Sequence, residues 1–224
     1  MLKKKKKEIK RNKYMVCNKC KQILGNQGSV EVICGPMFSG KSSLLISRAR
    51  EAFYAKEKVV AFTQKKDNRR GENSINTFDK DQFLAVSVLN SKQILKNIPD
   101  GTSLVVIDEA NFFDMDLADI VNKIAEKGIR VIVAGLDRNF RGEGFGPMSR
   151  IKLEADKVTQ LCARCAVCGN EASRTQRLKI VNGKKIPAKY TDPTVLVGEE
   201  EYEPRCRFHH EVSGKPRIKV KIKK

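Results

Sequence analysis

Gly35-Pro-Met-Phe-Ser-Gly-Lys-Ser42 decides the fold. The stretch has the form G-x-x-x-x-G-K-S, the P-loop, in which successive backbone N–H groups point at phosphate oxygens. Gly35 and Gly40 permit the tight turn. Lys41 is placed to reach β- and γ-phosphates, and the Ser42 hydroxyl to ligate Mg²⁺. Before it, Val30-Glu-Val-Ile-Cys34 is a short apolar run that reads as a buried strand. After it, Leu44, Leu45, Ala49, Ala52 and Phe53 lie near helical spacing across Ser43 to Ala55. Strand, loop and helix are the context the motif needs, because the helix N-terminus adds a partial positive charge for phosphate. The candidate nucleotide contacts are therefore Gly35, Pro36, Met37, Phe38, Ser39, Gly40, Lys41, Ser42 and Ser43.

A second signal lies downstream. Leu104-Val-Val-Ile-Asp108-Glu109 is an apolar run ending in two acids. It fits a central parallel strand delivering a carboxylate at its C-terminal edge. Beside a P-loop, Asp108 is the residue type that holds Mg²⁺. Glu109 is a second carboxylate, placed to take a proton from an attacking hydroxyl or water.

The intervening and following segments alternate. Lys58 to Thr63 reads as a strand, and Gln64 to Lys80 as a long polar loop carrying Asp67, Arg69 and Arg70. A short strand is expected over Leu84 to Val88 and a helix opening at Ser91. A further helix is expected over Asp116 to Lys127, closed by Gly128, and Arg130 to Leu136 reads as another buried strand. The expectation is an α/β fold, a P-loop NTPase-like parallel sheet with helices on both faces and right-handed crossovers. Phe140-Arg-Gly-Glu-Gly-Phe145-Gly is aromatic and glycine-rich, suited to stacking on a flat ring or to packing as a lid.

The last third holds Cys165-Ala-Val-Cys168 and Cys206-Arg-Phe-His209. Two x-x spaced knuckles with three thiolates and one imidazole make a closed structural Zn²⁺ site. On spacing alone Cys162 competes with Cys168 as the partner of Cys165, and His210 competes with His209. Between the knuckles, Lys179 to Lys189 and the stretch to Glu201 read as a hairpin or long loop turning at Asn182-Gly183. Cys17-Asn-Lys-Cys20 is half a zinc site without a second pair, and reads as two free thiols. Seven cysteines beside a nucleotide motif point to metal rather than disulfides and to a reducing, cytosolic compartment.

The 224 residues carry a net charge of +19, which suggests a polyanion partner until it is located. Residues 1–22 contribute +9 and residues 213–224 contribute +6, while the 190 residues between them contribute only +4. The charge sits in tails whose contact with nucleic acid would be salt-sensitive and unspecific. There is no apolar run of membrane-spanning length and no apolar secretory core at the N-terminus. The expected segments are a basic tail (1–28), an ATP-binding domain (29–156), a zinc-binding domain (157–212) and a second basic tail (213–224).

Taken in series, GPMFSGKS, DEANFF (108–113), GLDRNFRGEGFGP (135–147), CAVCGNEASRTQRL (165–178) and YEPRCRFHH (202–210) resemble the type II thymidine kinases from about Ser29 to His210. The resemblance implies transfer of the ATP γ-phosphate to the 5′-hydroxyl of thymidine or deoxyuridine. It also implies a zinc-held lasso closing over the nucleoside, a homotetramer, and feedback inhibition by dTTP. By that resemblance Lys41 and Ser42 serve phosphate and Mg²⁺, Asp108 holds the metal's water shell, and Glu109 is the base. Asp67 approaches the sugar hydroxyl and Arg69 the phosphates. Met37, Phe112, Leu136, Phe140, Phe145 and Thr175 form the wall around thymine, with Tyr202 and backbone near Val195 and Val197 at the base edge. The zinc ligands become Cys165, Cys168, Cys206 and His209. Two departures from the family pattern stand out: Thr77-Phe78-Asp79-Lys80 replaces its usual Ser-His-Asp-Gly, and Val197-Gly198-Glu199 its Gly-Gly pair. The rival reading is a zinc-ribbon P-loop ATPase acting on nucleic acid, which predicts basic and aromatic residues clustered on one face of the body.

Overall fold

The structure is a computed structural model, and it describes residues 15–16, 23–24, 28–65, 74–77, 81–194 and 201–216. Strands β1 (Met15–Val16) and β2 (Ile23–Leu24) form a short antiparallel pair. The core then runs β3 (Val30–Cys34), α1 (Lys41–Tyr54), β4 (Val59–Gln64), β5 (Ser74–Asn76), β6 (Gln82–Leu84), β7 (Val86–Val88) and α2 (Ser91–Lys96). It continues through β8 (Leu104–Asp108), a 3₁₀ turn (Ala110–Phe112), α3 (Leu117–Glu126), β9 (Arg130–Gly135), α4 (Met148–Glu154) and β10 (Lys157–Gln160). Six strands form one parallel sheet in the order β10-β3-β9-β8-β4-β7.

The apolar runs become sheet strands because both faces of the sheet are covered. In β8, Val105 and Ile107 enter the cluster under α2, α3 and α4, while Leu104 and Val106 enter the cluster under α1. β3 divides the same way, with Val30, Val32 and Cys34 on the first face and Ile33 on the second. This two-residue alternation leaves no polar face, so the sequence reads as a continuous apolar run. α1 seals one side with Leu45, Ile46, Ala49 and Ala52. Truncating Leu45, which is fully buried, to Ala costs about 2–5 kcal/mol. α3 lays Leu117, Ile120, Val121 and Ile124 on the other side.

Three segments differ from the sequence reading. The Leu84–Val88 strand is split at buried Ala85: β6 pairs with β5, while β7 joins the main sheet. Helix α4 and strand β10 were not expected. β10 pairs in parallel with β3, so the sheet runs on to Gln160, past the expected domain limit at 156. Cys17 and Cys20 lie outside the described residues.

A second lobe follows. β11 (Ala163–Arg164) and β12 (Glu171–Ala172) pair as a small antiparallel knuckle. β13 (Arg174–Val181), β14 (Lys184–Pro187) and β15 (Glu201–Arg205) form a sheet in the order β14-β13-β15. The expected turn joins β13 to β14: Asn182 and Gly183 have φ of 50° and 73°, the pair of positive angles a two-residue hairpin loop requires.

Candidate active site

The P-loop spans from the C-terminal end of β3 to the first turn of α1. A Cβ on Gly35 would sit 2.5 Å from the Leu161 carbonyl oxygen and 2.9 Å from Ser39 Oγ, so only glycine fits there. Gly40 caps α1 with φ 81°. The Pro36 carbonyl accepts from Lys41 Nζ at 2.7 Å and from Ser39 Oγ at 2.8 Å, holding the lysine against the loop. Burial lowers the Lys41 pKa, and the carboxylates of Glu109, Asp108 and Asp137 oppose that shift. Phe38 has φ 62° and an exposed ring.

The end of β8 brings the acids to this loop. Ser42 Oγ donates to Asp108 Oδ2 at 3.1 Å, and the Glu109 N–H donates to Asp108 Oδ1 at 2.9 Å. Burial, and then the neighbouring Glu109 charge, push Asp108 up to about 7. Glu109 has φ 52°, a left-handed conformation that costs a non-glycine residue on the order of 1 kcal/mol. The turn directs the chain away from β8 into the 3₁₀ segment that carries Phe112.

The expected wall residues lie on several elements. The Met37 N–H donates to Thr175 Oγ1 at 3.0 Å, tying the P-loop to β13 across 138 residues of sequence. Phe112 meets Phe145 edge to face, with centroids 5.3 Å apart and planes at 81°. Leu136 follows β9, and its N–H donates to Asn111 Oδ1 at 2.8 Å. Tyr202 sits opposite Arg177 in the β13/β15 register. Phe140 is buried among Ala188, Val212 and Tyr190. The Arg177 guanidinium lies 4.9 Å from its ring centroid and that of Arg141 5.5 Å. Asp67, Arg69, Val195 and Val197 lie outside the described residues.

Sequence reading missed three supports of this site. Asn111 is 2% exposed, and its Nδ2 meets no acceptor among the described residues. A Cβ on Gly135 would come within 2.8 Å of Asn111 Oδ1, and one on Gly146 within 2.3 Å of the Asn111 carbonyl oxygen. Asn111 thus fixes both ends of the aromatic loop. Arg177, fully buried, donates to the Pro193 carbonyl, and Arg141 donates to the Asp192 carbonyl at 2.7 Å. Both anchor the chain at the point where it enters residues 195–200. The signal for Arg177 was present as a basic residue inside an otherwise buried strand segment, Thr175-Gln-Arg-Leu178.

The knuckles meet as the spacing predicts. The ligand atoms of Cys165, Cys168, Cys206 and His209 all lie within 4.8 Å of one another. His209 Nδ1 is 3.3 Å from Cys206 Sγ and 3.7 Å from Cys165 Sγ, and the Cys168 and Cys206 sulfurs are 3.9 Å apart. Tetrahedral zinc with ordinary bond lengths needs edges of about 3.6 Å for S···N and about 3.8 Å for S···S. The cluster therefore fits Zn²⁺ and takes in neither Cys162 nor His210.

A cleft of about 380 Å³ lined by Ser29, Glu31, Arg48, Arg130 and Lys157 includes none of these site residues. No helix among the described residues is long and apolar enough to cross a membrane. A family model described as thymidine kinase matches residues 28–210. That span takes in the P-loop, the Asp108–Glu109 pair, the aromatic loop and all four candidate zinc ligands. The chain therefore belongs to the thymidine kinase family.

Proposed function

We propose that the chain transfers the γ-phosphate of ATP to the 5′-hydroxyl of thymidine, and of deoxyuridine, yielding dTMP for DNA precursor salvage. The observation that carries this reading is the meeting of three parts at one sheet edge. The Lys41/Ser42 P-loop touches Asp108, Glu109 is next in sequence to Asp108, and Met37 touches Thr175 on the second lobe.

In this reading the P-loop backbone from Gly35 to Ser43 cradles the phosphates. Lys41 leaves the Pro36 carbonyl to follow the transferred group. Ser42 and Asp108 hold Mg²⁺, which neutralises phosphate charge when bound. Their donor set fits: a hydroxyl and a carboxylate at 3.1 Å are hard oxygen ligands, and a cation there would relieve the raised pKa of Asp108. Glu109 accepts the 5′-hydroxyl proton as the oxygen attacks phosphorus and the bond to ADP breaks. Asp67 orients the sugar and Arg69 the phosphates. Met37, Phe112, Leu136, Phe140, Phe145 and Thr175 enclose the pyrimidine, with Tyr202 and the backbone at Val195 and Val197 along its edge. An unmade buried hydrogen bond costs about 1–3 kcal/mol, which disfavours purines. Zinc on Cys165, Cys168, Cys206 and His209 clamps the lasso base. We further propose a cytosolic homotetramer inhibited by dTTP, with the body (29–156, carried on to Gln160 by β10), the lasso lobe up to 212 and the basic tails as its units.

The test is ADP formation from Mg-ATP with no acceptor, thymidine, deoxyuridine, deoxycytidine, deoxyguanosine or single-stranded DNA. Turnover confined to thymidine and deoxyuridine is the expected outcome. Turnover with DNA alone would replace this reading by the nucleic-acid ATPase.

A further inference from the structure

Gly142 turns the aromatic loop with φ 77°. Measured from the position a Cβ would take there, Arg174 Nη1 lies 3.3 Å away, and His210 Cε1 and Lys215 Nζ each lie 3.8 Å away. Arg138 reaches the residue before β13, its Nη1 donating to the Ser173 carbonyl at 3.2 Å, and Arg207 follows Arg205, the register partner of Arg174; after burial, the charges of Arg207 and Arg138 are what lower the Arg174 pKa. His210 adds no charge, because burial, Arg174 and Lys215 lower its pKa while its Nε2 sits 2.8 Å from the Phe140 carbonyl. Four permanent cations thus gather where the aromatic loop, the start of β13 and the second zinc knuckle meet.

Their counter-charge is thin. Among the described residues the carboxylate acting on Arg174 is that of Asp137, which is 6% exposed. Asp137 is already shared by Lys152 at 3.2 Å and Arg138 at 3.6 Å. The gathering is local rather than a by-product of overall charge, since residues 23–212 sum to only +4. Arg174 itself faces away from the P-loop. Thr175 turns to the P-loop and Arg177 to Pro193, so strand alternation puts Arg174 on the other face of β13. Beside Arg207, the ring of Phe208 is 93% exposed on the zinc knuckle.

We propose that Arg138, Arg174, Arg207 and Lys215 bind the phosphates of a single-stranded nucleic acid, with Phe208 as a stacking platform for one of its bases. Guanidinium groups suit phosphate oxygens by paired donation, and an exposed aromatic beside them is the partner a splayed base needs. A polymer fits better than a mononucleotide. The cations come from separate segments rather than from one backbone cradle, and the sequence after Pro216 adds five Lys/Arg and no acid.

The test is fluorescence anisotropy of a labelled oligodeoxycytidylate with the full chain over a salt series. Arg174→Ser/Arg207→Ser should lower the slope of log affinity against log salt by about 1.4, at about 0.7 per phosphate contact on a single strand. Phe208→Ala should weaken binding about fivefold or more with the slope kept. Wild-type melting temperature and zinc content in both variants exclude misfolding. An unchanged slope in the first variant, or unchanged affinity in the second, would overturn the proposal and leave strand binding to the termini. Displacement by tripolyphosphate as effective as by unlabelled oligonucleotide, at equal phosphate, would also overturn it.

Discussion

The bond between the Met37 N–H and Thr175 Oγ1 is the direct link between the two lobes at the active site. Thr175→Val keeps the shape of the side chain and removes the acceptor. Thr175 is 4% exposed, so the loss falls on a site that packing holds in place. An unsatisfied buried amide costs about 1–3 kcal/mol. Met37 is only half-buried, and water can reach part of it, so about 1–2 kcal/mol is the share expected here. If the loop must keep this geometry for turnover, kcat/KM for thymidine falls roughly 5- to 30-fold. Steady-state kinetics at saturating Mg-ATP reads this, with a thermal melt confirming that the variant is folded. Thr175→Ser keeps the acceptor and should stay within about twofold of wild type, because the hydroxyl and not the methyl makes the bond. A Val variant as active as wild type, or a Ser variant as impaired as Val, would refute the coupling.

Three further outcomes follow from the same geometry. Glu109→Gln should lower kcat by about 10²–10⁴-fold with ATP affinity unchanged, since it removes the proton acceptor alone; rapid-quench kinetics beside equilibrium ATP binding separates the two. Cys206→Ser should lose its zinc and melt at lower temperature, and full zinc content by mass spectrometry would remove Cys206 from the ligand set. Asp108 carries the third. Its folded pKa, about 7, lies above the ordinary 3.8, so its contribution to stability is complete below about pH 4 and is lost as pH rises through about 7. The shift is on the order of 4 kcal/mol. Asp108→Asn should therefore melt above wild type at pH 8, the gap closing toward pH 4, while phosphoryl transfer is abolished. Melts that differ equally at both pH values would show that desolvation of this carboxylate is not the cause.

The central strands were legible because burial on both faces writes itself as an apolar run, as in Leu104–Ile107 and Val30–Cys34. β10 was not. Lys157-Val-Thr-Gln160 is an edge strand in which no residue is buried, so it offers neither a run nor an alternation. α4 buries only Met148 and Ile151 over seven residues, too few turns to show a period. At the site the same distinction holds. The P-loop and the Asp108–Glu109 pair are local motifs, each readable within a few consecutive residues, although Ser42 and Asp108 meet across 66 residues of sequence. Met37 and Thr175 were named separately, through the family resemblance, but their bond spans the two lobes. Asn111, Arg141 and Arg177 escaped because their partners are distant backbone groups, at Leu136, Asp192 and Pro193. Backbone carries no side-chain signature by which sequence could announce such a pairing. The surroundings of Phe140 were hidden in the same way. An aromatic in a glycine-rich loop suits ring stacking or lid packing, and its neighbours Arg177, Ala188, Tyr190 and Val212 lie far along the chain.

The departures from structural ease lie together. Asp108 is buried with a raised pKa, Lys41 is buried with a lowered one, Glu109 holds a left-handed backbone, and the buried Asn111 amide nitrogen meets no acceptor among the described residues. All four lie on the P-loop or on the five residues from Asp108 to Phe112. Each costs on the order of 1–4 kcal/mol. Scattered at random they would read as defects, but gathered at one edge they describe a site organised for a charged ligand. A cation between Ser42 and Asp108, and phosphates along the P-loop, would relieve the first two directly. The offset in the free protein comes from the sheet, where side chains such as Ile33, Phe62, Leu104 and Ile107 are fully buried and each contributes about 1.5–3 kcal/mol. The continuous apolar strands that made the fold legible are thus also what allows the site at their ends to remain strained.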